Sequence, residues 1–327
     1  MMEAGAVAGL GIDTSCYTTS VALISSGGPV YDGRAPLEVA RGQLGLRQQD
    51  AVYQHVRALP ALIEAAFEAA RQHGLQVRAV AASAWPRRVE GSYMPVFNVS
   101  LGAGRAVAAA LGCPFLPVSH QEGHVAAALL SLEGPPDGPH LAFHVSGGTT
   151  ELLKVEGKFQ IEAIGGSGDL NAGQFVDRVG VALGLPFPAG PALEAMAAEG
   201  ASGAVSIPAS VKGMQVSFSG PCSAALRHLE AGASGPDVAL AVFSCIGRAL
   251  GRLALRGMEA TGLEVLVVAG GVASNAIVKD VMTREIRRAR PGVRVEFALP
   301  KYASDNAVGA ASLAYDLACE RGVEGAG

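Results

Sequence analysis

Two strand meanders, far apart in the chain, set the limits on what this sequence can fold into. Residues 7–13 read as a strand, 14–19 as a polar turn and 20–25 as a returning strand. Beyond the Gly27–Gly28 turn, residues 29–39 continue the meander. Residues 141–146, 150–155 and 159–164 repeat the pattern. Helical segments come after both. Residues 49–73 place Val52, Val56, Leu59, Leu62, Ile63 and Phe67 on one side of a helix, and 236–261 form a long helix. A meander followed by helices, occurring twice, implies a duplicated α/β chain of two domains. The 327 residues are enough for two domains of ordinary size, and the 43 glycines suit tight strand–helix turns.

Further strands are expected at 77–83, 115–118 and 263–269, with an edge-like strand at 294–297. Helices are expected at 101–111, from His120 onward, and at 171–183, 192–198, 274–288 and 305–319. Residues 85–100 read as irregular, and the polar stretch 202–220 has no assigned element. Gly134-Pro135-Pro136-Asp137-Gly138-Pro139 is the clearest linker-like turn. The expected division is 1–118 plus 300–327 for one domain and 119–299 for the other, with a metal and nucleotide site at the cleft.

Charge and cysteine content narrow the setting. A net charge of -4 gives no global field favouring nucleic acid. The densest basic cluster is Arg284, Arg287, Arg288, Arg290 and Arg294, which reads as a solvated helix face. Cys16, Cys113, Cys222, Cys245 and Cys319 are scattered, with no CxxC pair, which suits a reducing cytoplasm. Residues 1–24 lack the pattern of a signal peptide. No charge-free run approaches the ~20 apolar residues needed to span a bilayer, so no membrane partner is expected.

The chemistry starts at His120-Gln121-Glu122-Gly123-His124. On a helix the two imidazoles project from one face at adjacent turns and can share one metal ion. At ~100° per residue, Glu122 falls on the opposite side, so it cannot serve as the base of a zinc protease. Asp305 opens the expected last helix, where it or Ser304 could be an N-cap. As a third, oxygen ligand it would complete a two-His, one-carboxylate site compatible with Fe, Zn or Mn. His144 is a candidate fourth ligand, or a strand residue facing solvent.

Three glycine turns could meet an anion or a flat ring. His144-Val145-Ser146-Gly147-Gly148 is a strand entering a Gly-Gly turn whose N–H groups can face an anion. Gly270 and Gly271, with Asn275, form a strand–glycine–helix turn. Gly173 through Asp177-Arg178 places an acid one turn after a glycine. It could meet ribose hydroxyls or pair with Arg178.

Taken in order over nearly the whole chain, these segments resemble one family, the TsaD/Gcp/YgjD proteins, historically called O-sialoglycoprotein endopeptidases. The motifs are Asp13-Thr14-Ser15-Cys16, the histidine pair, Val145-Ser146-Gly147-Gly148 with Thr150, and Gly173 through Arg178. Pro188-Ala189-Gly190-Pro191, Ser217-Phe218-Ser219-Gly220, Ala269-Gly270-Gly271-Val272 with Asn275, and Ser304-Asp305-Asn306 complete the series. The resemblance implies an actin-like (ASKHA) α/β fold. It implies transfer of a threonylcarbamoyl group from threonylcarbamoyl-AMP to N6 of the adenosine beside the tRNA anticodon. It implies one divalent metal, iron or zinc, on His120, His124 and Asp305, with His144 where some relatives carry a metal-binding tyrosine. An adenylate, or ATP or AMP, would meet Asp13, the segment from His144 to Gly148, Asp177, Gly190, Glu194, Gly270, Gly271 and Asn275. The implied partners are tRNA, an actin-like partner subunit and a small ATPase.

The sequence also departs from the family pattern. The usual opening Glu-Thr-Ser-Cys-Asp-Glu-Thr reads here with Tyr17 and Thr18 in place of the Asp-Glu pair. The segment before the histidine helix, the residue after Gly147-Gly148 and the pair after Gly220 differ as well. The alternatives these changes raise are a related carbamoyl-type transferase with another acceptor, or a non-catalytic nucleotide-binding partner in the same complex.

Overall fold

The computed structural model describes residues 6–15, 17–39, 46–303 and 305–324. Cys16 and Ser304, and with Ser304 one of the two expected N-caps, lie outside them. The chain forms two compact units, Met1–Ser131 with Asp305–Gly327, and Leu132–Ser304. The division therefore falls at 131 and 305, whereas the sequence suggested 118 and 300. The physical reason is packing: the histidine helix lies against the closing helix of the first unit, with Gly309 close against the Gly123 backbone.

The first unit is a five-stranded sheet with the order β3-β2-β1-β4-β5. Its strands are β1 (Ala6–Asp13), β2 (Thr18–Ser25), β3 (Gly28–Pro36), β4 (Leu75–Trp85) and β5 (Phe115–Ser119). Strands β1, β2 and β3 form the antiparallel meander, while β4 and β5 run parallel to β1. The helices are α1 (Gln48–Gln72), α2 (Phe97–Leu111), α3 (His120–Leu130) and the closing helix Val308–Glu324.

Alternation along the strands separates two cores. Ala8, Leu10, Ile12, Val80 and Ala82 pack with Leu59, Ala66 and Ala108 of α1 and α2. Ala79 and Ala81, on the opposite face, pack with Ala310, Leu313 and Ala314 of the closing helix. Full burial of a Leu or Ile contributes about 1.5–3 kcal/mol. The intervening residues of β1 are Gly9 and Gly11. A Cβ on Gly9 would lie 2.2 Å from the Tyr315 nitrogen, and one on Gly11 2.3 Å from the Ala311 nitrogen. Strand and helix therefore touch backbone to backbone.

On α1 the buried residues are Ala51, His55, Leu59, Ala66 and Ala70. The expected stripe is thus rotated. Leu62, Ile63 and Phe67 are partly buried at its margin, and Val56 is exposed.

The second unit is a seven-stranded mixed sheet with the order β12-β11-β6-β7-β8-β10-β9. Its strands are β6 (His140–Val145), β7 (Thr150–Gly157), β8 (Gln160–Ser167), β9 (Ser210–Lys212), β10 (Gln215–Ser217), β11 (Val265–Ala269) and β12 (Arg294–Phe297). Its helices are α4 (Ala172–Ala182), α5 (Gly190–Ala197), α6 (Ser219–Glu230), α7 (Gly235–Thr261) and α8 (Ala276–Ala289). The closing helix Val308–Glu324 of the first unit is then α9.

The unassigned stretch 202–220 supplies β9, β10 and the start of α6. Asp169 holds that start in place. Its carboxylate accepts from the Ser217 hydroxyl at 2.6 Å, the Phe218 N–H at 2.9 Å, and the Ser219 hydroxyl. Among the described residues, α7 is the one helix long and apolar enough to cross a membrane. Here it is a core helix, with Val242, Phe243, Ile246, Leu250 and Leu253 fully or almost fully buried.

Candidate functional site

In the first unit, the end of β1, the start of α3 and the residues before α9 meet. Helix α3 starts where the sequence places it, because Ser119 and Glu122 form a capping box. The Glu122 N–H donates to Ser119 Oγ at 3.1 Å, and the Ser119 N–H donates to Glu122 Oε2 at 2.7 Å. Glu122 is also clamped by Arg88, with Nε to Oε1 at 2.5 Å. It therefore points away from the imidazoles, as the helical spacing requires.

Helix α9 begins at Val308, three residues later than expected, and the Val308 N–H donates to Asn306 Oδ1 at 2.9 Å. Asp305 is left to turn toward α3. The two helices approach so closely that a Cβ on Gly309 would lie 1.8 Å from the Gly123 oxygen.

The result is a cluster of three ligating groups. His120, His124 and Asp305 each offer one atom, and the three atoms lie within 4.8 Å of one another. His120 Nε2 is 2.9 Å from His124 Nε2. Asp305 Oδ1 is 3.5 Å from His120 Nε2 and 3.3 Å from His124 Nε2. Asp13 stands behind them, with Oδ2 3.0 Å from His120 Nδ1. Its other oxygen accepts the Ser15 N–H at 2.6 Å.

Burial opposes charge on both imidazoles. Against it, the carboxylates of Asp13 and Asp305 push His120 up to about 10. His124 is held below its ordinary value by burial and by the positive charge on His120. Burial would raise Asp305, but hydrogen bonds and charge from the two imidazoles hold it well below the usual carboxylate range. Asp13 is likewise lowered, against its burial, by His120 and Ser15. The buried carboxylate of Asp13 and the partly buried one of Asp305 thus favour a cation between them, and a proton on His120 fills that need.

Two imidazole nitrogens and a carboxylate oxygen, with one imidazole oriented by a further carboxylate, form a donor set that fits a divalent transition metal. His144 stands on β6 in the second unit, opposite Glu151 and Ala269 in the sheet register.

In the second unit, three predicted glycine turns gather at the ends of β6 and β11. The Ser146 N–H donates to the Thr149 oxygen at 2.9 Å and closes the turn that contains Gly147 and Gly148. A Cβ on Gly173, in the first turn of α4, would lie 2.4 Å from Gly147 Cα. Gly270 has φ +112°, and a Cβ there would lie 2.1 Å from the Val145 oxygen. Only glycine meets both demands.

Asn275 caps α8: its Oδ1 accepts the Val278 N–H at 2.9 Å. Its Nδ2 is buried and makes no hydrogen bond. An orphaned buried donor beside a glycine turn fits a polar ligand. Glu194 Oε1 accepts the Ala276 N–H at 2.8 Å, so this acid braces the same helix end. Asp177 accepts the Ala189 N–H at 2.8 Å, and burial raises its carboxyl. Gly190 is the first residue of α5.

The model of one family, described as tRNA N6-adenosine threonylcarbamoyltransferase (TsaD), matches residues 41–312. The chain belongs to this family. A tRNA N6-adenosine threonylcarbamoyltransferase of Prochlorococcus marinus (strain MIT 9303) is 37% identical over 278 residues, covering 79% of this chain and 75% of that protein. One from Aromatoleum aromaticum is 33% identical over 308 residues, covering 91% and 87%. The activator of the 2-hydroxyisocaproyl-CoA dehydratase from Clostridium difficile, solved with bound ADPNP, aligns over 98% of this chain and 97% of its own with a TM-score of 0.56 and 16% identity. That likeness shows the fold, which is actin-like, as the paired meanders suggest. This TsaD-family chain is thus a transferase of the actin-like class.

Two features of the site escape a reading of the sequence. The Asp13–His120 contact joins residues 107 positions apart. The Arg88–Glu122 pair comes from the stretch 85–100, which reads as irregular.

Proposed function

We infer that this protein transfers a threonylcarbamoyl group from threonylcarbamoyl-AMP to N6 of the adenosine beside the tRNA anticodon. The observation that carries this reading is the convergence of His120, His124 and Asp305 in a chain of this family. In the reaction the adenosine amine attacks the carbamoyl carbonyl. A C–N bond forms, the carbonyl–oxygen bond to phosphate breaks, AMP leaves, and the amine loses a proton.

Each part of the chain has a role. His120, His124 and Asp305 would hold a divalent ion, iron or zinc, which would supply Lewis-acid charge to the reaction. The N–H groups of the Gly147–Gly148 turn offset charge on the adenylate phosphate. The orphaned Nδ2 of Asn275 donates to the adenylate, and Asp177 and Gly190 lie on the elements that would frame its sugar. Glu194 acts by holding the Ala276 N–H at the start of α8. His144 and Val145 bring β6 to the glycine turn. The protein works in the cytoplasm, with an actin-like partner subunit and a small ATPase.

A second reading is favoured by one observation. Tyr17 is exposed and Thr18 enters β2, where the family's opening has two acids. A related carbamoyl-type transferase with another acceptor would need different groups at this point. The test is to supply threonylcarbamoyl-AMP, tRNA and the partner proteins, and to look for the modified nucleoside by mass spectrometry. Modified tRNA supports the first reading. Tight adenylate binding without any modified nucleoside supports the second.

A further inference from the structure

We propose that Asp13 is a positioning residue that fixes His120 as the Nδ1–H tautomer, and so keeps the bare Nε2 of His120 aimed at the point it shares with His124 and Asp305. The inference rests on the reading of that point as a metal site. The family resemblance suggests a different role for this acid, in which it meets the adenylate directly.

Both of its oxygens are already engaged inside the protein. Oδ1 accepts the Ser15 N–H at 2.6 Å, and Oδ2 lies 3.0 Å from His120 Nδ1. The residue is 3% exposed. A carboxylate can only accept, and a neutral imidazole carries one N–H. Once a metal ion replaces the second proton of His120, the one that remains must sit on Nδ1, which leaves Nε2 as the lone pair. That nitrogen is the one 2.9 Å from His124 Nε2 and 3.5 Å from Asp305 Oδ1.

The fold holds this arrangement from behind. Gly9 and Gly11 bring β1 into backbone contact with α9, and Asp305 lies just before the start of that helix. One strand–helix contact thereby sets the position of the orienting carboxylate and that of the third ligand. A glycine strand packed on a small-residue helix could exist for stability alone. The added fact is that the strand ends on an acid with no oxygen to spare.

The substitution that isolates this role is Asp13→Asn. An amide has one acceptor oxygen for two donors, Ser15 N–H and His120 Nδ1–H. If the oxygen stays with Ser15, the amide NH2 faces Nδ1 and favours the wrong tautomer, as replacing the orienting acid of a catalytic triad does. Loss of a partner of this kind typically weakens metal binding about 10–100-fold.

The experiment is a competitive zinc titration of the metal-stripped full-length protein, with its melting temperature as a control and the cobalt absorption spectrum as a second readout. Asp13→Asn should keep its melting point without metal, bind zinc at least about tenfold more weakly, and show an altered cobalt band. Asp13→Glu, which keeps two acceptor oxygens, should recover most of the affinity.

A folded Asp13→Asn protein with wild-type zinc affinity overturns the proposal and leaves the metal reading intact. A wild type that takes up neither zinc nor iron(II) overturns both. Should Asp13→Asn not fold, long-range 1H–15N spectra of the zinc-loaded wild type decide. A proton on His120 Nδ1 supports the proposal, and a proton on Nε2 overturns it.

Discussion

The two units carry opposite kinds of candidate site. In the first, charged side chains face one another: two imidazoles and two carboxylates, of which Asp13 and His124 are buried and His120 and Asp305 partly buried, with net charge to be balanced. In the second, the groups are backbone turns, glycines and one amide nitrogen with nothing to bond. The first suits a compact cation, which neutralises carboxylates and replaces a proton. The second suits a large polar ligand that approaches backbone closely and takes up a donor. Duplication supplies the same meander twice, so the difference lies in the residues just beyond each strand. β1 ends on Asp13, and β5 runs into the histidines of α3. After β6 come Gly147 and Gly148. One architecture thereby provides a side-chain site and a main-chain site.

The largest effect that would break this contrast comes from His120→Ala. Removing a ligand should lower metal binding by more than about 100-fold, since loss of a mere orienting partner costs about 10–100-fold. Metal analysis after dialysis measures it. Adenylate binding, followed by calorimetry, should change by less than about twofold if the second unit holds the nucleotide alone. Full metal retention in His120→Ala would remove the cation site.

Next in size is Gly309→Ala. The added methyl would meet the Gly123 oxygen at 1.8 Å, so α9 must move off α3. Overpacking of this kind costs about 3 kcal/mol. Denaturant unfolding should show that loss. Zinc affinity should fall as well, because Asp305 moves with α9. Unchanged stability would mean that the helices tolerate a wider spacing.

The two sites differ in how far the sequence alone exposes them. The histidine pair can be read because four residues are about one helical turn, and Ser119 and Glu122 announce the helix start. The glycine turns can be read because Gly147, Gly270 and their neighbours stand where strands end. Asp305 can be named as a ligand but not placed: it reads as a helix opener, yet the helix starts at Val308, whose N–H donates to Asn306, and the acid turns away. Helix α6 is illegible because its start is polar and is held by Asp169, 50 residues before Ser219. The stripe on α1 departs from the apolar periodicity because Val56 is exposed, while His55 and small alanines face the sheet. Local rules carry elements and spacing. Contacts between residues as distant as Asp13 and His120 are set by packing that no local pattern encodes.

A smaller effect sharpens the second site. Asn275→Asp keeps an oxygen for the Val278 N–H and so keeps the helix cap. It replaces the orphaned donor with an acceptor and adds negative charge. Adenylate affinity should fall about tenfold, the value of one lost hydrogen bond to a charged group. Metal content should be unchanged. Equal adenylate binding would show that Nδ2 does not serve the ligand.

The smallest effect is the second unit's share of the pH dependence. Asp169 accepts hydrogen bonds from Ser217, Phe218 and Ser219, and these outweigh its partial burial and hold its carboxyl well below the usual range. A group whose pKa is lowered by folding adds stability above its unfolded value, about 3.9, and loses it as pH falls through the folded value. Asp169 is mostly exposed, so solvent screening keeps the contribution small. Wild-type stability should therefore decline from about pH 5 downward, and Asp169→Asn should flatten part of that decline. At neutral pH the same variant should be less stable, because an amide offers one acceptor oxygen to a set of donors that a carboxylate meets with two. Urea unfolding at about pH 7 and about pH 4, on either side of the onset of that decline, measures both. If the variant loses equal stability at both values, the knot at the start of α6 owes nothing to the charge on Asp169, and the acid-sensitive part of the molecule lies with the carboxylates beside the histidines instead.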